Sequence, residues 1–67
     1  MTTLYIDHKY ASLEVEGQTL VARLGDKRQR PMPLALLERV VCLNTVQLDT
    51  GVLGTLAEHG VAFSIAS

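Results

Sequence analysis

The sequence has few aromatic residues: its 67 residues include no tryptophan, one phenylalanine and two tyrosines. Any core must therefore be built from aliphatic side chains. Apolar residues make up 48% of the chain and charged residues 19%, a balance that favours a folded domain and excludes a disordered tail. A chain this short forms one small domain, and its stability is marginal without a metal ion, disulfides or a partner.

Cysteine is almost absent as well, and the single Cys42 has no partner for an internal disulfide. It lies in an apolar run, so we expect a reduced protein of the cytoplasm. The chain opens with neither a basic segment nor a long apolar stretch. We therefore expect no signal peptide and no membrane span.

Positive charge is scarce and unevenly placed. The net charge of −1 argues against a general binder of polyanions. Four of the six basic residues nevertheless fall within eight positions, and no lysine or arginine follows Arg39. The four clustered residues are Arg23, Lys27, Arg28 and Arg30.

The first half of the chain alternates between apolar and polar residues, which predicts half-buried strands. The stretches are TLYID (residues 3–7), ASLEVE (11–16) and TLVARL (19–24), and Gly17 and Gly25 lie in the turns after the second and third. KRQR (27–30) follows as a polar edge strand. Hairpin connections between these strands predict an antiparallel meander with one solvated face. The residues expected to face inward are Leu4, Ile6, Ala11, Leu13, Val15, Leu20, Ala22 and Leu24.

The second half changes period at two prolines. Pro31 and Pro33 end the fourth strand because proline cannot donate to a ladder, and LALLE then forms about one helical turn. RVVCLN (residues 39–44) is apolar on both faces, which is typical of a central strand. Asp49 or Thr50 caps a helix that ends at His59 and Gly60, and VAFSIA (61–66) is a further strand.

A strand, a crossover helix and a strand form a right-handed unit with parallel strands. The predicted fold is therefore mixed α/β and mostly β: an antiparallel β-meander followed by a strand–helix–strand unit, in a small β-sandwich-like domain spanning residues 1–67. The last strand has a face of small residues (Ala62, Ser64 and Ala66), against which we expect something to pack. Because the chain stops as this strand is completed, we expect a truncated domain.

No catalytic or metal-binding pattern is present in the sequence. His59 in a last helical turn is typical of a residue that complements the helix dipole, and His8 has no second histidine at ligand spacing. Cys42 has no nearby basic residue that would activate it, so we expect it to pack in the core. The carboxylates form no recognisable pair, and no glycine-rich loop has the lysine that a phosphate-binding loop requires.

The basic cluster and the first turn admit two interpretations each. A charged edge strand protects a sheet against aggregation, or else its residues contact nucleic-acid phosphates. Tyr10 at a loop tip caps the core, or else stacks on a base or on a duplex end. The candidate DNA-binding residues are His8, Lys9, Tyr10, Arg23, Lys27, Arg28 and Arg30.

Taken in order, TLYID, SLEVEG, LVARLGDKR, PLALLERVV and VQLDTGVLGTLAEHGVAF resemble the amino-terminal β-domain of the CRISPR-associated integrase, the endonuclease of spacer acquisition. The resemblance covers nearly the entire chain. PLALLERVV followed by VQLDTGVLGTLAEHG is the most specific part of it. The turn at residues 7–10 corresponds to the place where some members carry an aromatic residue that stacks on a duplex end.

The resemblance implies a two-part enzyme whose β-domain makes homodimer contacts. It places the catalytic ligands for Mg²⁺ or Mn²⁺ in a helical domain outside this sequence, so it implies no cofactor and no catalytic residue within residues 1–67. It also implies two further partners, a DNA duplex and a second, smaller CRISPR adaptation protein.

Three functions are compatible with these observations. The first is a non-catalytic dimerisation and DNA-bracing domain of the integrase, inactive as a nuclease by itself. The second is a self-contained small β module that binds nucleic acid or a protein partner. The third, a stand-alone metal hydrolase, is disfavoured because no set of ligands has suitable spacing.

Overall fold

The computed structural model describes residues 2–66, which form eight strands, one 3₁₀ turn and one α-helix. In chain order these elements are β1 (Thr2–Ile6), β2 (Ala11–Glu16), β3 (Thr19–Leu24), β4 (Lys27–Arg28), β5 (Met32–Pro33), the 3₁₀ turn (Leu34–Leu36), β6 (Leu37–Cys42), β7 (Val46–Gln47), α1 (Thr50–Glu58) and β8 (Ala62–Ile65).

The strands form two sheets that pack on a shared core. The first sheet has the order β1-β6-β8 and all its pairs are parallel. The second has the order β4-β3-β2-β7, with β5 paired to the far end of β3. The antiparallel strands β2, β3 and β4 form a meander, and β6, α1 and β8 form the strand–helix–strand unit. The predicted class, mixed α/β and mostly β, is therefore confirmed.

The prediction that β1 belongs to the meander is wrong. β1 pairs with β6 in parallel, with Leu4 beside Val40 and Ile6 beside Cys42. The residues between β1 and β2 carry the chain from one sheet to the other instead of closing a hairpin. Leu4 and Ile6 face the core in either arrangement, so the alternation of β1 could not distinguish the two pairings.

Three short elements also differ from the prediction. β4 comprises only Lys27–Arg28, and Met32–Pro33 forms a strand where the prolines were expected to end one. Pro33 lies opposite Thr19 at a sheet edge, where its missing N–H costs no ladder bond. Val46–Gln47 forms a short strand, β7, that pairs in parallel with β2. A segment of two residues is too short to show the alternation that predicts a strand.

β6 is the central strand of its sheet, as predicted. Val40 and Cys42 are fully buried between the sheets, in a core that also contains Leu20, Leu34 and Leu56. β6 begins two residues earlier than predicted, directly after the 3₁₀ turn that connects the sheets. Both of its edges are occupied, by β1 and by β8, and Val41 on its outer face is half-buried, whereas Glu38 and Arg39 near its start are exposed.

Helix α1 closes one side of the sandwich by packing against β2 and β8. Asp49 caps it, since its carboxylate accepts a hydrogen bond from the Val52 backbone N–H at 3.0 Å. The sequence predicts an apolar stripe of Val52, Leu53, Leu56 and Ala57 at helical spacing; Val52 and Leu56 are buried, whereas Leu53 and Ala57 are exposed. Gly60 adopts the predicted left-handed conformation after the helix, with φ of 69°.

The opposite side of the sandwich remains open. A cleft of about 210 Å³ lies there between β1 and β3, with the segment that links β4 to β5 at its rim. Leu4, Leu24 and Met32 line it and are only half-buried. The small-residue face of β8 is only partly covered by the rest of residues 2–66, with Ala62 and Ala66 exposed and Ser64 half-buried. The expectation that something packs on it stays a prediction.

In the described part of the chain, no helix is long and apolar enough to cross a membrane. The single helix found there spans nine residues.

We predict that Val40→Asp unfolds the domain. Its carboxylate would be buried without a partner at a cost of several kcal/mol, and a domain of this size is stable by only roughly 5 kcal/mol. Val41→Asp is the matched control, because Val41 lies on the other face of β6, half-buried beside Tyr5 and Ser64. Thermal melts should show a cooperative transition for the control only. A near-wild-type melt of Val40→Asp would contradict the central position of β6.

Candidate nucleic-acid interface

Two turns meet at one end of the second sheet. The β1–β2 turn (residues 7–10) lies beside the β3–β4 turn, and the Gly25 N–H donates to the Tyr10 carbonyl at 3.3 Å. A side chain built on Gly25 would lie 3.7 Å from His8 Cε1. Ala11 pairs with Leu24, and Leu24 pairs with Lys27. The fold thus brings His8, Lys9 and Tyr10 close to the start of the basic cluster at Arg23, although Tyr10 and Arg23 are 13 positions apart in sequence.

The β1–β2 turn is ordered by its own side chains. His8 Nδ1 accepts a hydrogen bond from the Tyr10 N–H at 3.1 Å, and the His8 carbonyl accepts one from the Ala11 N–H. The His8 and Tyr10 rings meet edge-on with centroids 6.4 Å apart. Lys9 Nζ lies 5.7 Å from the Tyr10 ring centroid, within range of a cation–π interaction. Tyr10 is 70% exposed, so its ring is open to a planar ligand rather than capping the core.

Half of the basic cluster is engaged by glutamates of β2. The Arg23 Nε–H donates to Glu14 Oε1, and Arg28 Nη2 donates to Glu16 Oε1 at 2.6 Å. Hydrogen bonding and charge from Glu14 raise the pKa of Arg23 above its already high ordinary value. Within residues 2–66 these are the two ion pairs, so Lys9, Lys27 and Arg30 have no carboxylate partner there.

The strand register explains the pairing. Glu14 lies opposite Val21, Arg23 lies opposite Arg28, and Glu16 lies opposite Thr19. Directly opposed residues share a face of the sheet, so all four charged side chains point away from the core on the outer face. Each arginine reaches a glutamate diagonally, and the Arg28 side chain has to cross β3 at the level of Val21.

Val21 is fully buried although it is not part of the core between the sheets. It lies on the outer face, directly opposite Glu14 and two residues from Arg23. Side chains of the outer face therefore have to cover it, and the aliphatic stems of the neighbouring charged residues are placed to contribute, as long charged residues do over apolar surface. We call the set of Glu14, Glu16, Arg23 and Arg28 above Val21 the charged lattice.

Sequence reasoning missed the role of Glu14 and Glu16. The pairing of Glu14 with Arg23 could have been predicted from the hairpin. A two-residue turn at Gly17 and Gln18 sets the register, and that register places Glu14 diagonal to Arg23. The seven candidate residues named from sequence remain predictions. The structure places six of them at the surface, with His8 half-buried.

The other titratable candidates have structural roles. His59 Nδ1 donates to the Thr55 carbonyl at 2.9 Å in the last turn of α1, and its Nε2 lies 3.1 Å from Gln18 Oε1. Cys42 is fully buried, and burial raises the pKa of its thiol. No three His, Cys, Asp or Glu side chains converge within residues 2–66. The described residues therefore do not fit a catalytic metal ion.

The family model for the CRISPR associated protein Cas1 matches residues 4–67. The chain belongs to the Cas1 family. The resemblance read from the sequence is thus confirmed, and membership of this family supports a role in CRISPR adaptation.

One sequence relative and one solved structure are similar to this chain. A CRISPR-associated endonuclease Cas1 of Thermodesulfovibrio yellowstonii is 34% identical over 61 residues, which are 91% of this chain and 19% of that protein. The solved structure of a CAS1 protein from Thermotoga maritima superimposes with a TM-score of 0.76 at 15% identity, over 94% of this chain and 21% of that one. At that identity the structural likeness shows the fold alone. The chain spans about a fifth of the length of these Cas1 relatives.

We predict that Cys42→Val reduces the loss of stability at alkaline pH. The buried thiol keeps its proton to a higher pH than it does in the unfolded chain, where the ordinary pKa is 9.0. The unfolded state therefore releases its proton first, and the free energy of unfolding falls as pH rises. Urea unfolding of both proteins at roughly pH 8 and pH 10 measures the difference. Equal losses in the two proteins would show that Cys42 does not titrate differently on unfolding.

Proposed function

We propose that this chain is the non-catalytic dimerisation and DNA-bracing domain of a CRISPR adaptation integrase. The observation that carries the DNA-bracing role is the meeting of the two turns at one end of the second sheet. It sets an exposed tyrosine ring, Tyr10, next to Lys9 and near Lys27, both without carboxylate partners in the described residues.

An exposed aromatic ring beside cations suits the end of a nucleic-acid duplex. The terminal base pair presents an unstacked π-face, and stacking on an aromatic side chain does not depend on base identity. The neighbouring lysines would neutralise the last phosphates, a contribution that weakens as salt increases. Binding should therefore be weak, salt-sensitive and independent of sequence.

The non-catalytic part of the proposal rests on the missing ligand set. Metal-assisted cleavage of a phosphodiester needs an ion held by several converging ligands, and residues 2–66 bring no such group together. Under this proposal the Mg²⁺ or Mn²⁺ chemistry belongs to a helical domain, and the DNA duplex is shared with a second, smaller CRISPR adaptation protein.

The dimerisation part is supported by the edges of the sheets. The edge strands of the second sheet are two residues long, and β4 carries Lys27 and Arg28 while β5 contains Pro33. Such edges resist pairing. β1 is a five-residue edge strand without charge or proline, and it borders the open cleft. Two copies of β1 can pair without electrostatic repulsion, and their inward side chains would close the clefts.

We predict that Tyr10→Ala lowers the affinity for a short blunt-ended duplex by about fivefold or more, since base–aromatic stacking contributes roughly 1–3 kcal/mol. Leu53→Ala is the matched control, because Leu53 is also an exposed apolar residue, at 38%, but lies on α1 and belongs neither to the two turns nor to β1. Fluorescence anisotropy measures both affinities, and a circular duplex without ends serves as competitor.

Loss of affinity in Tyr10→Ala only, together with poor competition by the circular duplex, would support end-bracing. Equal affinities of Tyr10→Ala and wild type would contradict it.

We predict that the chain self-associates and that Tyr5→Lys prevents this. Light scattering over a concentration series should give wild type a mass near twice 7.3 kDa. A lysine on β1 would bring like charges together when two copies pair. Leu36→Lys is the control, because it adds the same charge at an exposed apolar residue of the 3₁₀ turn. A monomeric wild type would remove the dimerisation proposal, and a dimeric Tyr5→Lys would place the interface elsewhere.

A further inference from the structure

We infer that Glu14 and Glu16 attenuate phosphate binding by occupying Arg23 and Arg28, so that the charged lattice is a self-neutralised anion-binding face; this inference rests on the proposed DNA-binding role. The occupant that the glutamate carboxylates exclude is the phosphate backbone of a nucleic acid.

The charged residues on the outer face of the second sheet balance one another. Two glutamates and two arginines share the outer face of β2, β3 and β4, and both arginines are bonded to carboxylate oxygens. The formal charges sum to zero. A phosphate approaching this face meets two guanidinium groups that each already donate a hydrogen bond to a glutamate and whose positive charge is balanced by that carboxylate.

The geometry of the two ion pairs, Arg23–Glu14 and Arg28–Glu16, also opposes phosphate binding. Exposed ion pairs usually fluctuate and contribute little. Here Val21 lies on the same face, opposite Glu14, and is fully buried, and the paired side chains around it are 43–47% exposed. Packing over an apolar residue holds each guanidinium near its glutamate. Phosphate therefore has to displace a positioned partner, which lowers its affinity.

The end of the second sheet, where the β1–β2 and β3–β4 turns meet, differs from this face. Lys9 and Lys27 have no carboxylate partner among residues 2–66 and lie near Tyr10. Asp7 and Asp26 lie in the same two turns, so the formal charges of Lys9 and Lys27 are balanced there too, but neither lysine is bonded to a carboxylate within residues 2–66. The unpaired lysines beside the exposed ring can turn to a phosphate at the end of a duplex, whereas the arginines of the sheet face would first have to leave their glutamates.

The test is a DNA titration of Glu14→Gln/Glu16→Gln at several salt concentrations. Removing both carboxylates frees Arg23 and Arg28, so affinity should rise by about two- to twentyfold at low salt, at up to about fivefold per exposed pair. The plot of log affinity against log salt should steepen by about two units, since each phosphate contact contributes about 0.9.

Glu38→Gln/Glu58→Gln is the matched control. It removes the same amount of negative charge from two exposed glutamates that form no ion pair within residues 2–66. Thermal melts verify that each variant is folded. Should Glu14→Gln/Glu16→Gln unfold, Glu14→Thr/Glu16→Thr replaces it, because threonine suits a strand and covers apolar surface.

A larger rise for the lattice variant than for the control supports the inference. Equal rises overturn it and attribute the effect to net charge, while the proposed DNA binding stands. If wild type fails to bind DNA and the lattice variant binds, the inference is supported and the proposed function fails. If no variant binds, or if the lattice variant only melts at a lower temperature, the glutamates merely cover Val21 and the inference is overturned.

Discussion

The structure depends on the parallel pairing of β6 with β1 on one edge and β8 on the other. β6 is apolar on its inner face through Val40 and Cys42 and half-buried on its outer face at Val41. A strand with that pattern is stable only with both edges hydrogen-bonded and the core packed against it. Since its partners come from the two ends of the chain, the pairing joins the sequence across nearly its full length.

That constraint shapes the site at the other sheet. Because β1 pairs with β6, the chain has to cross from the first sheet to the second within residues 7–10, and no hairpin forms there. The crossing sets Tyr10 at the exposed end of the second sheet, where its carbonyl accepts from the Gly25 N–H. The contact between the two turns is therefore a consequence of the pairing of β1 with β6. The same choice leaves β1 as a long edge strand beside an open cleft.

The two faces of the second sheet illustrate how one hairpin carries core packing and surface electrostatics together. Leu20 and Ala22 face the core, and Val21 between them faces outward beneath Arg23 and its neighbours. Charged side chains lie here around a buried apolar residue. Their ion pairs also neutralise two arginines that a count of basic residues would treat as available for DNA contacts. Counting basic residues in a stretch of sequence overestimates the charge that is available to a ligand.

What the sequence by itself determined was local: the alternation of β2 and β3, the Asp49 cap, the left-handed Gly60 and the buried character of β6, because backbone preferences and short-range hydrogen bonds decide these. The order of segments also carried the Cas1 resemblance. Only the tertiary structure decided the partner of β1, the two-residue strands, and the meeting of the two turns. These depend on which distant edge is free, and a period of two is satisfied equally by any partner that buries the same face.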